Sequence, residues 1–211
     1  MFCTLCNFNV DKSLNIRGRD YFLCPTCDLL FMSPQDRMTK EEELQRYLKH
    51  QNDPTDAGYK NFLLQIAEPC FEYIDKNSLC LDYGSGNALN MEEIFKDKGF
   101  NMESYDPYFY PNNLNGPYDL IVCNEVCEHF YSPASDFRKM KNVLKPDGIL
   151  AIGTNLRNNS TDLNTWHYLT DQTHVSIYSK RTFDCIAERY KFKVLKVLND
   201  RVIILKAFTL A

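Results

Sequence analysis

The stretch LCLDYGSGNALNMEEIFKDKGFNMESYDP, residues 79–107, contains a short apolar run at residues 79–81 and a second short strand pattern at residues 101–105, each followed by an aspartate. The first segment ends at Asp82 and is followed by a turn that contains Gly84 and Gly86. Apolar residues at helical spacing then lead to a second strand pattern, which ends at Asp106. The order strand, glycine turn, helix, strand and acid predicts a βαβ unit that binds a nucleoside.

Each part of this unit has a role in ligand binding. Gly84 and Gly86 allow positive φ angles and let a ligand lie against the backbone. Asp106, about twenty residues further on, is placed to accept hydrogen bonds from both ribose hydroxyls. A dinucleotide turn has a third glycine where this chain has Leu89, and the charge of Asp82 disfavours a pyrophosphate. A cationic ligand without phosphates fits better, and S-adenosylmethionine (SAM) is such a ligand.

Four motifs in this order resemble those of the class I SAM-dependent methyltransferases. They are DYGSG at residues 82–86, Asp106, YDLIVCNEVCEH at residues 118–129, and VLKPDGIL at residues 143–150. The resemblance extends from Phe62 to the C-terminus and implies an α/β fold, with a doubly wound Rossmann-like sheet and a C-terminal antiparallel hairpin. It also implies a set of SAM-binding residues: Asp82, Gly84, Gly86, Asp106, Asn124 and Glu125. Tyr59, on an N-terminal helix, is a candidate lid contact, although a helical aromatic residue can equally belong to the core.

The interval after Asp106 departs from the family pattern. Only eleven residues separate Asp106 from Tyr118, and they are rich in proline, asparagine and glycine. Most class I methyltransferases have a helix and a further strand at this point. We therefore expect a sheet that lacks one edge strand, with Tyr108 or Phe109 bordering the adenine.

Two Cys-x2-Cys pairs near the N-terminus, Cys3/Cys6 and Cys24/Cys27, are separated by seventeen residues that read as a short hairpin. This spacing predicts a zinc ribbon in which the four thiolates bind one tetrahedral Zn²⁺. Four protein ligands leave no position for water or substrate, so we expect a structural ion. The chain then divides into a zinc ribbon at residues 1–36, lid helices at residues 37–78, and a SAM-binding core at residues 79–211. We predict the two lid helices over residues 39–51 and 59–76, with Pro69 kinking the second.

The candidate catalytic residues follow the core strands. His174 lies in the long polar segment of residues 155–176, and a histidine of near-neutral pKa suits a general base. Tyr168, in the same segment, can orient that base or stack on substrate. The alternative is that His174 only caps the loop through hydrogen bonds. His129 is a second candidate base.

Glu125, Glu128 and His129 also form a Glu-x-x-Glu-His motif. It is similar to the motif with which ubiquinone-pathway O-methyltransferases and small-RNA 2′-O-methyltransferases bind a divalent metal. The same residues occur in related methyltransferases without metal, so both readings remain open.

Composition limits the remaining choices. A chain of 211 residues with 44% hydrophobic content can bury one core and a small appendage. A pI of about 5.6 without blocks of like charge gives no argument for a nucleic-acid partner. No apolar run approaches the ~20 residues of a membrane span, and nine cysteines, five of them scattered through the apparent core, indicate a reducing, cytoplasmic location.

The function that the sequence favours is methyl transfer from SAM to a small-molecule acceptor. The resemblance points to the branch that includes small-metabolite and sugar methyltransferases. One alternative is an RNA or protein methyltransferase that uses the ribbon to dock its substrate, and another is a non-catalytic SAM- or partner-binding module. The motifs leave O-, N- and C-methylation and the oligomeric state open.

Overall fold

The computed structural model describes residues 1–49, 56–111 and 114–208. The N-terminal part contains β1 (Ser13–Ile16), β2 (Arg19–Leu23), β3 (Leu30–Met32), α1 (Lys40–Tyr47) and α2 (Ala57–Cys70). The next part contains β4 (Leu79–Tyr83), α3 (Asn90–Asp97), β5 (Asn101–Tyr105), β6 (Tyr118–Asn124), α4 (Pro133–Asn142) and β7 (Leu144–Gly153). The C-terminal part contains β8 (Ser176–Ile177), α5 (Lys180–Tyr190), β9 (Phe192–Leu198) and β10 (Val202–Ala207).

The central sheet has six strands in the order β5-β4-β6-β7-β10-β9. Strands β4 to β7 are parallel, and β9 and β10 form an antiparallel hairpin at the other edge. Among the described residues between β5 and β6 the only pairing is an isolated bridge from Asp106 to Tyr110. Strand β5 is therefore the edge, as the short interval predicts, and the expected doubly wound fold is confirmed.

Two apolar clusters cover the two faces of this sheet. One joins α2 and α3 to the sheet through residues such as Ile66 and Phe95, and the other joins α4 and α5 to it through Phe137 and Ile186. Strands buried on both faces need nearly continuous apolar sequence. This explains why the sequences of β4 and β6 are mostly continuous apolar runs and do not alternate between apolar and polar residues.

The ribbon forms a second sheet in the order β1-β2-β3-β8. Arg17 and Gly18 have φ angles of 53° and 79°, as the two central residues of a type I′ hairpin turn require. Strand β8 comes from the segment after β7, so the ribbon sheet is completed by the core. Leu29 and Phe31 of the ribbon also share an apolar cluster with residues of α4 and α5. The division of the chain at residues 36 and 78 stays a prediction.

The lid helices differ in extent from the predicted ones. Helix α1 begins with a capping box, in which Thr39 and Glu42 bond each other's backbone amides. The predicted end of this helix, beyond residue 49, lies outside the described residues. Helix α2 ends at Cys70 rather than at residue 76, so Pro69 lies in its last turn. No described helix is long and apolar enough to cross a membrane.

Candidate active site

A cavity of about 850 Å³ opens at the carboxyl ends of β4, β5 and β6, where doubly wound sheets bind ligands. Every residue that the sequence suggests for SAM binding or catalysis borders it: Tyr59, Asp82, Gly84, Gly86, Asp106, Asn124, Glu125, His129, Tyr168 and His174. The fold thus brings the predicted SAM-binding residues and the predicted catalytic residues to one continuous cavity.

The glycine turn after β4 is constrained by its backbone. Gly84 and Gly86 have φ angles of 87° and 67°, which residues with a Cβ rarely adopt. A Cβ on Gly84 would approach the two Cγ atoms of Val126 to 2.5 Å, whereas a Cβ on Gly86 would meet nothing within 4 Å. Gly84 is therefore needed for packing, and Gly86 leaves open space on the cavity side.

Asp106 holds this turn against the end of β5. Its carboxylate accepts hydrogen bonds from the amides of Gly86 at 3.0 Å, Tyr108 at 2.8 Å and Phe109 at 3.2 Å. Three amide donors fix the orientation of the carboxylate at the border of the cavity. The loop with Tyr108 and Phe109 lies beside it, at the position expected to border adenine.

Asp82 is buried at the floor of the cavity, with 6% of its surface exposed. Burial and the nearby carboxylates of Asp106 and Glu92 raise the pKa of Asp82 to about 7. A carboxylate in such surroundings gains most from a cationic ligand, because desolvation and like charges otherwise oppose its ionisation. Tyr59 stands on α2 at the same end of the cavity and stacks on Phe62 at a centroid distance of 6.3 Å.

Arg201, between β9 and β10, is a site residue that the sequence pattern did not suggest. Its guanidinium donates to Asn124 Oδ1 at 3.1 Å, to Glu125 Oε1 at 3.3 Å and to Gln65 Oε1 at 3.2 Å. It also lies 4.0 Å from the centroid of the Phe62 ring. This single cation therefore ties the C-terminal hairpin to the end of β6 and to α2.

Glu125 follows β6 in a left-handed conformation, with φ of 54°. Its amide donates to Gly153 O at 2.7 Å. Burial and the neighbouring Glu128 carboxylate raise the pKa of Glu125 to about 7, against the opposing effect of Arg201. A non-glycine residue held at positive φ beside a cavity is typical of a functional position.

A fully buried hydrogen-bond network lies under the other half of the cavity. Glu128 accepts from the Tyr168 hydroxyl at 2.6 Å and from the Thr154 hydroxyl at 3.1 Å. Burial raises the pKa of Glu128, while the nearby His174 ring opposes that shift. The Tyr168 hydroxyl is hydrogen-bonded below the cavity, so the residue borders the cavity with its ring. This ring packs on His174 at 4.2 Å between centroids.

The rings of His129 and His174 pack edge to face, with ring centroids 4.9 Å apart. Nδ1 of His174 lies 2.7 Å from Tyr168 O, and Nδ1 of His129 lies 3.1 Å from Thr173 O. A carbonyl only accepts, so both Nδ1 atoms carry hydrogen and each neutral ring has its lone pair on Nε2. Burial and the adjacent His129 lower the pKa of His174, while Glu128 and Asp171 oppose that shift.

The same histidines form a cluster with Glu128 whose candidate ligand atoms lie within 4.8 Å of one another. Donation of the other ring nitrogen to a carbonyl is also usual for metal-binding histidines. Glu125 is outside this cluster and bonds Arg201 instead. The geometry therefore suits either a neutral base or a ligand set made of Glu128, His129 and His174.

A comparison with models of known protein families identifies the family of this chain. The model of a methyltransferase domain family matches residues 47–197. The chain belongs to this methyltransferase family. With the fold described above, it is a class I SAM-dependent methyltransferase. A search of curated protein sequences gave no significant match.

Solved structures show the same fold at low sequence identity. Mitomycin 7-O-methyltransferase aligns with a TM-score of 0.54 and 15% identity over 78% of this methyltransferase and 60% of its own chain. The 1,6-didemethyltoxoflavin-N1-methyltransferase of Burkholderia thailandensis, solved with its acceptor and S-adenosylhomocysteine, aligns with a TM-score of 0.51 and 12% identity. That alignment covers 94% of this methyltransferase and 100% of the other chain. This methyltransferase thus spans less than two thirds of the first enzyme and the whole of the second.

Helix α1 forms the roof of the cavity in this methyltransferase. Glu43 is buried and accepts from the hydroxyls of Tyr47 at 2.8 Å and Tyr108 at 2.5 Å, which connects α1 to the loop after Asp106. Arg46 pairs with Asp171 at 2.9 Å, which connects α1 to the segment that carries His174. Although burial opposes ionisation of Asp171, Arg46 and the Thr173 hydroxyl lower its pKa. The roof therefore contacts both halves of the cavity.

The four ribbon cysteines of the methyltransferase converge as the sequence predicts. Their Sγ atoms lie within 4.8 Å of one another, with Cys3 to Cys27 at 3.5 Å and Cys6 to Cys24 at 3.4 Å. Tetrahedral Zn²⁺ with bonds of about 2.3 Å requires sulfur atoms about 3.8 Å apart. The hydrogen bond between the Cys3 and Cys27 thiols lowers the pKa of Cys3 and raises that of Cys27. The cluster fits a structural zinc ion.

Proposed function

We propose that the methyltransferase transfers the SAM methyl group to a small-molecule acceptor bound between α1 and the segment of residues 155–176. The observation that carries this proposal is the continuity of the cavity, which is bordered by both the glycine turn and the histidine pair. A volume of about 850 Å³ is within the usual range for small-ligand sites. The acceptors named for the two aligned enzymes, mitomycin and didemethyltoxoflavin, are also small molecules.

In this proposal the cofactor lies over the glycine turn. Asp106 accepts from the ribose hydroxyls, Tyr108 and Phe109 border the adenine, and the open face of Gly86 contacts the nucleoside. Asp82, Asn124 and Glu125 surround the methionine part, with Tyr59 above it. The raised pKa of Asp82 supports a cationic ligand, because the positive charge of SAM would favour ionised Asp82.

Methyl transfer is an in-line displacement: the acceptor atom forms a bond to the methyl carbon while the carbon–sulfur bond breaks. His174 Nε2 accepts the proton that the acceptor O–H, N–H or C–H group loses, and S-adenosylhomocysteine is the second product. The buried Glu128 favours the imidazolium that results. His129 and the Tyr168 ring confine the acceptor, and most of the rate gain comes from this positioning.

The structural zinc ion of the ribbon takes no part in this step. A divalent cation held by Glu128, His129 and His174 is the alternative use of the histidine pair. When bound, it would lower the pKa of an acceptor hydroxyl. Added Mg²⁺, Mn²⁺ or Zn²⁺ that neither binds the zinc-loaded protein nor changes turnover would remove this alternative.

The test is turnover on a panel of small-molecule acceptors, RNA fragments and peptides, with release of S-adenosylhomocysteine as the readout. We expect turnover with a small molecule, and a loss of about 10²–10⁴-fold in His174→Ala with cofactor binding retained. His167→Ala is the matched control, because His167 borders the same cavity without a proposed role. Turnover on RNA or peptide alone would favour docking by the ribbon, and cofactor binding without any turnover would favour a non-catalytic module.

A further inference from the structure

The ribbon contacts the segment that carries His174 at both of its ends. Asp28, which directly follows Cys27, pairs with Arg157 at 2.5 Å and accepts from the Ser179 hydroxyl at 2.5 Å. Arg157 and Ser179 form an isolated bridge to each other, so they close the base of this segment. We name residues 157–179 the acceptor loop. Its two ends meet on one ribbon carboxylate.

The position of Asp28 depends on the second cysteine pair. Its φ is 62°, and its amide donates to Cys24 O at 2.8 Å, within the turn that carries Cys24 and Cys27. Arg181, just beyond the acceptor loop, donates to Pro25 O at 2.8 Å in the same turn. A metal ion that holds this turn therefore also fixes the Asp28 carboxylate.

The C-terminal part of the acceptor loop belongs to the ribbon sheet. Strand β8 pairs with β3, and the Met32 amide donates to Val175 O at 2.8 Å. On the other side the Val175 amide donates to Glu128 O at 2.8 Å. His174, the residue before Val175, is thus fixed between a ribbon strand and the buried network below the cavity.

Side chains reinforce this backbone pairing. Ile16, Leu30 and Met32 of the ribbon share an apolar cluster with Tyr168 and other residues of the acceptor loop. Arg19 donates from Nη2 to Leu169 O at 2.7 Å. The ribbon sheet is therefore the surface on which the Tyr168 ring and the His174 backbone rest.

The cofactor half of the cavity is built differently. Asp82, Gly84, Gly86 and Asp106 lie at the ends of β4 and β5 in the central sheet. The Asp106 carboxylate is oriented by amides of its own loop and of the glycine turn. Loosening the ribbon should therefore affect the acceptor half first.

We propose that the zinc ribbon is a positioning element for methyl transfer: through Asp28 and β3 it sets the location of His174. This inference rests on the proposed role of the acceptor loop. It assigns a positioning role to Asp28, which contacts Arg157 and Ser179 but does not border the cavity. Zinc occupancy then controls the geometry of the acceptor half while leaving the cofactor half intact.

The test compares Asp28→Ala, Asp28→Asn, the exposed ribbon control Lys12→Ala, and the unaltered protein stripped of zinc by a chelator. Three readouts need no acceptor: S-adenosylhomocysteine affinity by calorimetry, hydrogen exchange of peptides from residues 82–106 and 164–178, and the side-chain ¹⁵N signals of His174 at fixed pH. In Asp28→Ala and in the zinc-free protein we expect at least tenfold faster exchange in the 164–178 peptides and shifted His174 signals. Affinity should stay within about twofold.

Asp28→Asn should restore the His174 signals, because asparagine tolerates positive φ and can accept from Ser179. Unchanged loop exchange and unchanged His174 signals after zinc removal would overturn the proposal. Loss of cofactor affinity in step with loop loosening would also overturn it, because the ribbon would then support the whole fold. If Asp28→Ala does not fold, Arg157→Gln and the zinc-free protein provide the same comparison. None of the three readouts needs turnover, so a negative result for the role of the ribbon can be distinguished from a negative result for the proposed methyl transfer.

Discussion

Replacement of Gly86 by alanine should weaken cofactor binding while leaving the fold in place. The new Cβ would be held at φ of 67° and would meet no protein atom within 4 Å. The conformational cost of a left-handed alanine is about 1–2 kcal/mol, which corresponds to a Tm lower by about 2–8 °C for a chain of this size. The Cβ also enters the space where the nucleoside would lie, so we expect affinity to fall by about 10–100-fold, or about 1.4–2.8 kcal/mol.

Gly18→Ala is the matched control for this prediction. Gly18 has φ of 79° in the ribbon hairpin, and a Cβ there would also meet nothing within 4 Å. Both variants should therefore lose a similar amount of stability through backbone strain, but only Gly86→Ala adds an atom at the cavity. Thermal unfolding and calorimetric titration with S-adenosylhomocysteine should show similar losses of stability and a loss of affinity in Gly86→Ala alone.

The reasoning would be refuted if Gly86→Ala bound S-adenosylhomocysteine as tightly as the unaltered protein. The ligand would then lie elsewhere in the cavity. Equal losses of affinity in both variants would instead attribute the effect to stability. Gly84→Ala should be the most destabilised of the three, because its Cβ would overlap Val126.

Three further predictions concern charge and backbone strain. SAM affinity should rise about tenfold from pH 6 to pH 8, because Asp82 with a pKa of about 7 ionises over this range. Calorimetry should show a weaker rise in affinity in Asp82→Asn. An unchanged rise in that variant would point to Glu125 as the titrating group. Arg201→Met should lower the free energy of unfolding in urea by about 2 kcal/mol, because Asn124 and Glu125 each lose a hydrogen bond from a charged donor. Exposed Lys196→Ala should cost under about 1 kcal/mol, and equal costs would contradict this role of Arg201. Lys191→Gly should raise the free energy of unfolding by about 1 kcal/mol. Lys191 caps the C-terminus of α5 at a left-handed φ of 60°, which glycine adopts without the steric cost of a Cβ. A lower Tm in this variant would show that the lysine is not strained.

Local patterns predicted the central sheet well. The two segments that lead to Asp82 and Asp106 form β4 and β5, and the expected C-terminal antiparallel hairpin is made by β9 and β10. The short interval after Asp106 predicts the missing edge strand. These features depend on apolar runs, turn residues and intervals within one stretch of chain. The glycine turn and the cysteine pairs were recognisable for the same reason.

Contacts between distant parts of the chain were not predictable in this way. Strand β8 has only two residues, and its pairing with the ribbon spans more than 140 positions. Arg201 reaches the end of β6 because the C-terminal hairpin folds back beside it. Glu43 reads as a surface acid in a charged helix, yet two tyrosine hydroxyls satisfy it beneath the roof. Helical or strand periodicity does not encode such pairings, because each depends on the packing of the completed fold.

Calorimetric titration of the zinc-loaded protein with S-adenosylhomocysteine and with SAM, beside Asp106→Ala, tests the cofactor site most directly. We expect one site per chain with a dissociation constant on the order of micromolar, and loss of binding in the folded variant. Absence of binding of either ligand to the folded, zinc-loaded protein would contradict the proposal that the glycine turn and Asp106 form a SAM site.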